Sequence, residues 1–506
     1  MNLMPSSFSR RKATTPMTSN AILHITETDW KRLREHLLQP DSLERAGFAQ
    51  LGRAVHSGCV EYFLHRLDPV ADENCAQQHA TIVEPEPLVV LDIFAAYAKS
   101  AAAALMHLHS HPFTDRASFS GVDDANLPRT ARDLAGYLKT ARSNQPPRFI
   151  RFVAGRSEDG FTAEVMDGSG CIVEVITEIR IVGASGLRTI RRWTEKCTVI
   201  EFASDERERL DRNLNWLGEA GQRRIAQTHV AIVGLGGLGA EILKACRGLG
   251  FRHYTLVDHD RVEASNLNRL PWSRADVGRL KVDVARDFIL GAIPDASVEL
   301  VPVQVGSERA AESLAKSDVI VACLDNDYAR LQVQDVAARH LRPLLDMGSG
   351  ITLRPGTREV DGMGGQVSLH IPGGPCLACQ GLDASQVIDP EHAEVRRSVG
   401  YVQGTNETPA SVVTINSVVA ALGADTLMKW LTGFSAPPAW LRYDLLTHRA
   451  IPMKFVARHD CPICGEDGIM GLGERVAAPQ PAPTAAGDFF RKRKTALPLP
   501  TPEPVN

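Results

Sequence analysis

The sequence predicts an α/β protein with at least two domains, on three observations. At 506 residues the chain is longer than one hydrophobic core usually supports. Short apolar runs alternate with helix-like segments in both halves. A glycine loop with Gly234, Gly236, Gly237 and Gly239 follows the apolar run 229–233 directly and opens a helical pattern. This order is typical of a doubly wound nucleotide-binding sheet.

The composition excludes several function classes. It is 44% hydrophobic and 23% charged, with a net charge of −4, so no general attraction to nucleic acid or anionic membranes is expected. No apolar run approaches the roughly 20 residues that span a bilayer, and no apolar signal segment follows the basic run 10–12. We therefore expect a cytoplasmic protein. Ten cysteines are too few for a disulfide scaffold in so long a chain.

Changes in composition along the chain suggest its division. The N-terminus is polar, basic and rich in Ser and Thr, whereas the C-terminus is rich in Pro and Ala. The expected segments are a disordered N-terminus at 1–20, a first domain at 21–183, a connector at 184–204, a second domain at 205–472 and a disordered tail at 473–506.

The first domain contains a candidate metal site. Residues 105–109 form an apolar run of strand character, and His109 and His111, two residues apart, leave the same face of an extended segment. Asp123 follows His111 by twelve residues, across a loop long enough to fold back. Two histidines and one carboxylate leave a coordination position of zinc open for water, which is the catalytic arrangement.

These residues resemble the JAMM family of zinc metalloproteases (Mov34, MPN, PAD-1 and JAB). His109-Ser-His111-Pro112 matches its H-x-H-P pattern, and the segment 120–123 matches its S-x-x-D pattern. The resemblance implies a JAMM-type α/β metalloprotease domain with zinc on His109, His111 and Asp123. It also implies that Ser120 supports the oxyanion.

The general base of this family is a glutamate ahead of a Gly-rich apolar strand. Glu44 precedes such a segment, so the resemblance implies that Glu44 is the base. Glu61 is the alternative base, and Asp124 is the alternative ligand because it is adjacent to Asp123. An inactive pseudo-protease is the alternative for the whole domain.

The second domain carries the pattern of a nucleotide site. The apolar run 254–257 ends in Asp258, nineteen residues after Gly239, which suits a carboxylate on a ribose hydroxyl. Glycines let the backbone approach phosphate, and a helix N-terminus favours negative charge. This pattern alone would also fit an NAD dehydrogenase.

Three further segments, 258–269, 276–281 and 319–326, resemble the ThiF/MoeB/ubiquitin-activating superfamily. The resemblance implies a Rossmann-like, doubly wound ThiF-type adenylation domain at about 205–470. The resemblance also implies that this domain binds ATP and Mg²⁺ and assembles as a homodimer. The implied roles are phosphate contact at the four loop glycines, ribose contact at Asp258, phosphate binding at Asn266, Arg269 and Lys281, magnesium binding at Asp325, and contact of Arg212 with the partner subunit's ATP.

Two Cys-x-x-C pairs predict a structural metal site. Cys376 and Cys379 form the first knuckle, and Cys461 and Cys464 form the second after 81 intervening residues. Four thiolates make a closed tetrahedral zinc site. The superfamily named above has the same pair of knuckles.

A thioester cysteine is missing where many activating enzymes carry one. No cysteine lies between Cys379 and Cys461. Either the acyl-adenylate passes directly to an acceptor, or a hydroxyl of Thr405, Thr408 or Ser411 accepts the acyl group as an oxyester.

Together the two resemblances imply an enzyme that adenylates the C-terminal Gly of a small ubiquitin-like or sulfur-carrier protein. Its zinc peptidase would trim the precursor or cut conjugates, and a conjugating enzyme is a possible partner. Such fusions would suit bacterial conjugation or antiviral-defence operons. The alternatives are carrier activation for thiocarboxylate formation and a scaffold with an inactive JAMM domain.

Overall fold

The fold is described from a computed structural model. It covers residues 19–56, 58–139, 147–195, 201–354, 356–382 and 411–474. Within these ranges, no helix is both long and apolar enough to cross a membrane.

The N-terminal unit is built on an eight-stranded sheet in the order β1-β3-β2-β6-β7-β8-β9-β10, and β1 also pairs with β9. A separate two-stranded sheet joins β4 to β5. The strands are β1 Ser19–Thr26, β2 Ala46–His56, β3 Cys59–Pro69, β4 Cys75–Gln78, β5 Val83–Pro85, β6 Ala104–Ser110, β7 Arg148–Ala154, β8 Phe161–Met166, β9 Ile172–Gly183 and β10 Gly186–Arg191. The helices are α1 Glu27–Leu37, α2 Pro87–Lys99 and α3 Gly121–Leu138.

The C-terminal unit contains a second eight-stranded sheet, in the order β13-β12-β11-β14-β15-β16-β17-β18. Its strands are β11 His229–Val233, β12 His253–Val257, β13 Ser297–Val301, β14 Val319–Ala322, β15 Leu344–Leu353, β16 Val360–His370, β17 Trp440–Asp444 and β18 Arg449–Met453. Its helices are α4 Ser204–Arg209, α5 Asp211–Gln227, α6 Gly237–Leu249, α7 Lys281–Leu290, α8 Glu308–Ala315, α9 Asp327–Arg339, α10 Leu377–Gln380 and α11 Val413–Thr432.

The strand order of the second sheet indicates where its candidate nucleotide site lies. The strand β11 pairs in parallel with both β12 and β14, which follow it along the chain on opposite sides. The carboxyl ends of these three strands therefore meet at one edge, where doubly wound sheets bind their ligands. The predicted strand at 229–233, the helix after the glycine loop and the second strand are confirmed.

Three ordered segments lie in stretches expected to be irregular. β1 begins at Ser19, inside the N-terminal segment. β10 lies in the connector and pairs antiparallel with β9. Gly473 and Glu474, the first residues of the tail, hydrogen-bond to neighbouring elements. In each case backbone hydrogen bonds, made to the adjacent strand for β10 and to elements distant in sequence for the other two segments, override weak local composition.

Buried charges join the two units. The guanidinium of Arg342, from the C-terminal unit, donates to Glu61 on β3 (2.7 Å) and lies 3.2 Å from His24 on β1. Arg180 on β9 contacts Asp318 at 3.3 Å. Burial of Arg342, Glu61 and His24 is nearly complete. Since buried charges are tolerated only with partners, the two units depend on each other at this contact.

A short segment, residues 471–474, forms a strap between the units. On one side, Gly52 N of β2 donates to Gly471 O (3.0 Å). On the other side, Gly473 N donates to Arg339 O at the end of α9 (2.9 Å). A Cβ at Gly52 would lie 2.0 Å from the strap backbone, so β2 needs a glycine where the strap crosses it.

Histidines at this contact make its stability sensitive to acid. Burial, first, and the neighbouring cation Arg342 lower the pKa of His24 to about 4 and that of His340 to about 3. Burial also lowers the pKa of His56. An unfolded histidine takes up a proton near pH 6.5, whereas these histidines resist protonation in the folded protein.

We therefore expect the free energy of unfolding to fall as the pH drops from about 6.5 to 4, by on the order of 1–3 kcal/mol each for His24 and His340. Urea denaturation at several pH values measures this slope. His340→Gln is expected to reduce the slope over the same window, because it removes one titrating group. An unchanged slope in that variant would contradict the assignment.

Candidate functional site

Four side chains meet at the end of β6. His109 lies on this strand, His111 directly follows its last residue, and Asp123 lies in the first turn of α3. His109 Nε2 lies 3.2 Å from Asp123 Oδ1, and His111 Nε2 lies 3.8 Å from Asp123 Oδ2. One ligand atom from each of these three residues falls within 4.8 Å of the others. Glu44 completes the group, with Oε1 at 3.6 Å from His111 Nε2.

Sheet register brings Glu44 to this cluster. β2 pairs antiparallel with β6, and Ala46 lies opposite His109. Glu44 is therefore two residues ahead of the paired position, and its backbone is fixed by hydrogen bonds to His79 and Gln78. Burial, and secondarily the charge of Asp123, raise the pKa of Glu44 to about 8.

The donor set fits a divalent metal. His109 Nε2 faces the Asp123 carboxylate at 3.2 Å, and His109 Nδ1 is buried without a hydrogen-bond partner among the described residues. Two imidazoles and one carboxylate are a ligand set for zinc that leaves a coordination position open. His109, His111 and Asp123 would hold the ion.

The alternative metal ligand Asp124 and the alternative base Glu61 both have other partners in the structure. The Asp124 carboxylate is exposed and pairs with Arg151 at 2.7 Å. Glu61 is buried at the contact between units, where Arg342 holds its pKa well below the usual range against the opposing effect of burial. Asp123 and Glu44 are thus the carboxylates that the fold brings to the histidines.

Ser120 supports Asp123 directly. Its hydroxyl donates to Asp123 Oδ2 (2.8 Å). Ser120 N also donates to Asp123 Oδ2 (2.7 Å), and Asp123 N donates to Ser120 Oγ (3.2 Å), and these two bonds form a capping box at the start of α3. The expected role at the oxyanion stays a prediction. The observed role is to fix the carboxylate that faces His109.

In the C-terminal unit, three of the loop glycines are required by space or backbone conformation. Gly234 has φ of +85°, a region that side chains disfavour. A Cβ at Gly239 would lie 1.8 Å from Gly234 O, and a Cβ at Gly237 would lie 2.3 Å from the Asn416 amide. At Gly236 a Cβ would meet open space. The loop is thus closely packed at Gly234, Gly237 and Gly239, whereas Gly236 faces open space.

The carboxylate of Asp258 is tied to this loop. Its Oδ2 accepts from Leu235 N (2.6 Å), and burial raises its pKa. Lys281 lies nearby, with Nζ at 2.7 Å from Asp260 and 3.9 Å from Asp258. An ammonium and a carboxylate therefore face the same edge of the sheet, beside the N-terminus of α6, where an anionic ligand is favoured.

The remaining predicted nucleotide residues occupy different positions around that edge. Asn266 is buried and accepts from Glu263 N (3.2 Å), so its carboxamide shapes the local turn. The Arg269 guanidinium donates to Ser265 O (2.9 Å), and its Cδ approaches Gly237. Asp325 is exposed just beyond β14.

Arg212 does not join this group within the described chain. Its side chain is 95% exposed, and its nearest charge is Asp211 at 3.8 Å. The expected contact with a partner subunit's nucleotide stays a prediction.

The four knuckle cysteines converge as predicted. Sγ–Sγ distances are 3.5 Å for Cys376–Cys461, 3.5 Å for Cys379–Cys464 and 4.0 Å for Cys376–Cys379. Zinc–sulfur bonds of about 2.3 Å in a tetrahedron would separate sulfurs by roughly 3.8 Å. The cluster fits a structural zinc.

Of the proposed acyl acceptors, Thr405 and Thr408 lie outside the described residues. Ser411 lies just before α11, and its Oγ accepts from Asn416 Nδ2 (3.2 Å). Cys246 and Cys323 are free thiols whose pKa values are raised by burial, so neither is a ready nucleophile.

The sequence interpretation missed two buried polar residues near the nucleotide edge. Asn416 is 1% exposed at the start of α11. Asp346 on β15 is fully buried, and its closest cation is Arg330, at 3.5 Å. Each is a polar residue inside an apolar run, which is the signal that could have revealed it.

Comparison with known proteins shows which family the C-terminal unit resembles. The model of the ThiF family matches residues 210–463. The SAMP-activating enzyme E1 of Haloferax volcanii is 30% identical over 256 residues, which cover 50% of this chain and 86% of that protein. The sulfur carrier protein adenylyltransferase of Thermus thermophilus is 31% identical over 289 residues, covering 54% and 94%. The molybdopterin-synthase adenylyltransferase of Escherichia coli is 28% identical over 251 residues, covering 49% and 90%.

The family match lies within the unit that carries the glycine loop, Asp258, Lys281 and both cysteine knuckles. The doubly wound sheet, the geometry of its carboxyl edge and the extent of the match agree. The chain belongs to the ThiF family.

Proposed function

We propose that the C-terminal unit adenylates the C-terminal carboxylate of a small ubiquitin-like or sulfur-carrier protein, and that the N-terminal unit is a zinc peptidase acting at the same carrier's terminus. The observation that carries the combined proposal is the convergence of Glu44, His109, His111 and Asp123 in a chain of the ThiF family. The names of the relatives, a SAMP-activating enzyme and a sulfur carrier protein adenylyltransferase, support the carrier class.

In the adenylation step, a carboxylate oxygen of the carrier attacks the α-phosphorus of ATP. A new O–P bond forms, the bond to the β-phosphate oxygen breaks, and pyrophosphate leaves with both electrons. Negative charge must be balanced throughout, so positioned cations matter more than a base. Lys281 and Arg269 would supply that charge, Asp258 would bind ribose, and Asp325 would hold magnesium.

In the peptidase, a zinc bound to the two histidines and Asp123 would lower the pKa of water to about 7. Glu44 is the carboxylate next to the cluster that is not needed as a ligand. It is placed to take a proton from the attacking water and to return it to the leaving amine. Ser120 keeps Asp123 oriented through its hydroxyl.

Two features bear on the later steps. The segment between the knuckles has no cysteine, which favours direct transfer of the adenylate or conversion to a thiocarboxylate over a thioester. The intact ligand set in the N-terminal unit favours an active peptidase over a scaffold that only binds the carrier. Precursor trimming and removal from conjugates use the same chemistry at Glu44.

The proposal is tested on the full chain with a carrier ending in Gly and with the same carrier extended at its C-terminus. We expect carrier-dependent ATP–pyrophosphate exchange, cleavage of the extension, and about two zinc ions per chain by elemental analysis. Lys281→Met should lose exchange and keep cleavage, because the two centres use different residues. Exchange without cleavage, with about one zinc ion, would contradict the peptidase. Absence of exchange with ubiquitin-like and sulfur carriers would contradict the carrier assignment.

A further inference from the structure

Asn416 is a buried amide that the adenylation chemistry leaves without a role. It lies in the first turn of α11 and is 1% exposed. Its Oδ1 accepts from Ser349 Oγ on β15 (2.8 Å). Its Nδ2 donates to Ser411 Oγ, just ahead of the helix (3.2 Å). The side chain thus joins two segments that are far apart in sequence.

The same amide packs against the glycine loop. A Cβ placed on Gly237 would lie 2.3 Å from Asn416 Nδ2 and 3.3 Å from Arg269 Cδ. Gly237 begins α6 and does not have a positive φ, so its backbone conformation would accept a side chain. Asn416, rather than the backbone, therefore requires a glycine at position 237.

At Gly237 the closest packing comes from the Asn416 and Arg269 side chains. The three nearest atoms to a Cβ at Gly237 all belong to Asn416 or Arg269, while Gly236 faces open space. A glycine-rich loop loses much conformational freedom when it is fixed on a ligand. A buried amide held by two hydroxyls supplies a rigid surface for that loop before the ligand arrives.

We propose that Asn416 is a positioning residue for adenylation, which holds the Gly237 face of the nucleotide loop and the stem of Arg269 in place for the phosphates of ATP. The inference rests on the adenylation function proposed above. Asn416 acts through Gly237 and Arg269, with Ser349 and Ser411 fixing the orientation of its amide. Loss of the amide leaves the loop free to move and should weaken ATP binding more than carrier binding.

The first test measures ATP binding by calorimetry on the full chain with Mg²⁺ and no carrier. Asn416→Ala is expected to raise the Kd for ATP at least ~10-fold, and Ser349→Ala about 3-fold, since it removes one of the two hydrogen bonds that orient the amide. Thr426→Ala is the matched control, because Thr426 is equally buried on the same helix and donates only to its own helix backbone. Its Kd should stay within about 2-fold of the wild type.

The second test is a double-mutant cycle. Gly237→Ala alone should weaken ATP binding at least ~10-fold, because its Cβ meets the Asn416 amide. Combined with Asn416→Ala, the added methyl occupies the vacated space, and the Kd should recover at least ~3-fold relative to Gly237→Ala. The added Cβ points toward Asn416 and not toward the open side of the loop, so it does not itself block ATP.

Steady-state exchange provides the remaining readout. The KM for ATP should rise in Asn416→Ala while the KM for the carrier stays within about 2-fold. An unchanged Kd for ATP in Asn416→Ala, or strictly additive effects in the cycle, would overturn the proposal. A lowered thermal midpoint without a change in the Kd for ATP would mean a purely structural role and would overturn it as well. ATP binding is measured without carrier. These results therefore test the role of Asn416 even if the proposed carrier proves wrong.

Discussion

Glu44→Gln should lower cleavage of a C-terminally extended carrier by at least ~10²-fold while ATP–pyrophosphate exchange keeps its wild-type rate. Glutamine keeps the shape of the side chain but cannot accept a proton from the attacking water. Glu44 lies 3.6 Å from His111 Nε2 and outside the set of three metal-ligand candidates, so zinc content should not change. Cleavage is followed by mass spectrometry and zinc by elemental analysis.

Glu84→Gln is the matched control, since Glu84 is an exposed glutamate on β5 of the same unit. Its cleavage rate should equal that of the wild type. Equal cleavage by Glu44→Gln and the wild type would remove Glu44 from the mechanism. Loss of zinc together with activity would instead assign Glu44 to the metal ligands.

Arg342→Met is expected to lower the free energy of unfolding by about 3–5 kcal/mol. Its guanidinium is 2.7 Å from the Glu61 carboxylate, and both side chains are almost fully buried where the units meet. Methionine preserves much of the volume but leaves Glu61 charged and without its closest cation. Urea denaturation monitored by tryptophan fluorescence measures the loss.

Arg354→Met serves as the control for removing an arginine from an ion pair. Arg354 and Glu359 are 61% and 68% exposed, so the expected loss is only about 0–1 kcal/mol. Adding Glu61→Gln to Arg342→Met should restore part of the stability, because it removes the uncompensated charge. Equal losses for Arg342→Met and Arg354→Met would contradict a dominant role of the buried pair.

Much of the nucleotide edge was predictable because its signals are local. The strand at 229–233, the glycine loop and Asp258 occupy consecutive stretches whose spacing reflects one strand–loop–helix–strand unit. The histidine pair at the end of β6 is local in the same way, since residues two apart on extended backbone share a face.

Non-local features could not be derived from spacing. Glu44 reaches the histidines only through the register in which Ala46 lies opposite His109. Asn416 meets Gly237 across about 180 residues of sequence, through packing of α11 on α6. The sequence offers Glu61 as the alternative base, yet Glu61 pairs with Arg342 from the other unit, a partner that no pattern near Glu61 indicates.

The strap at 471–474 makes the folding boundary differ from the boundary of the family match, which ends at residue 463. It covers the part of β2 that extends beyond its pairing with β6, where it binds the amide of Gly52 and the carbonyl of Arg53. The Glu474 carboxylate also accepts from Val55 N (2.9 Å). A chain cut at the family boundary would expose these groups as an open sheet edge, and such edges recruit strands from other molecules. We therefore expect residues after the last cysteine knuckle to protect the N-terminal sheet from self-association.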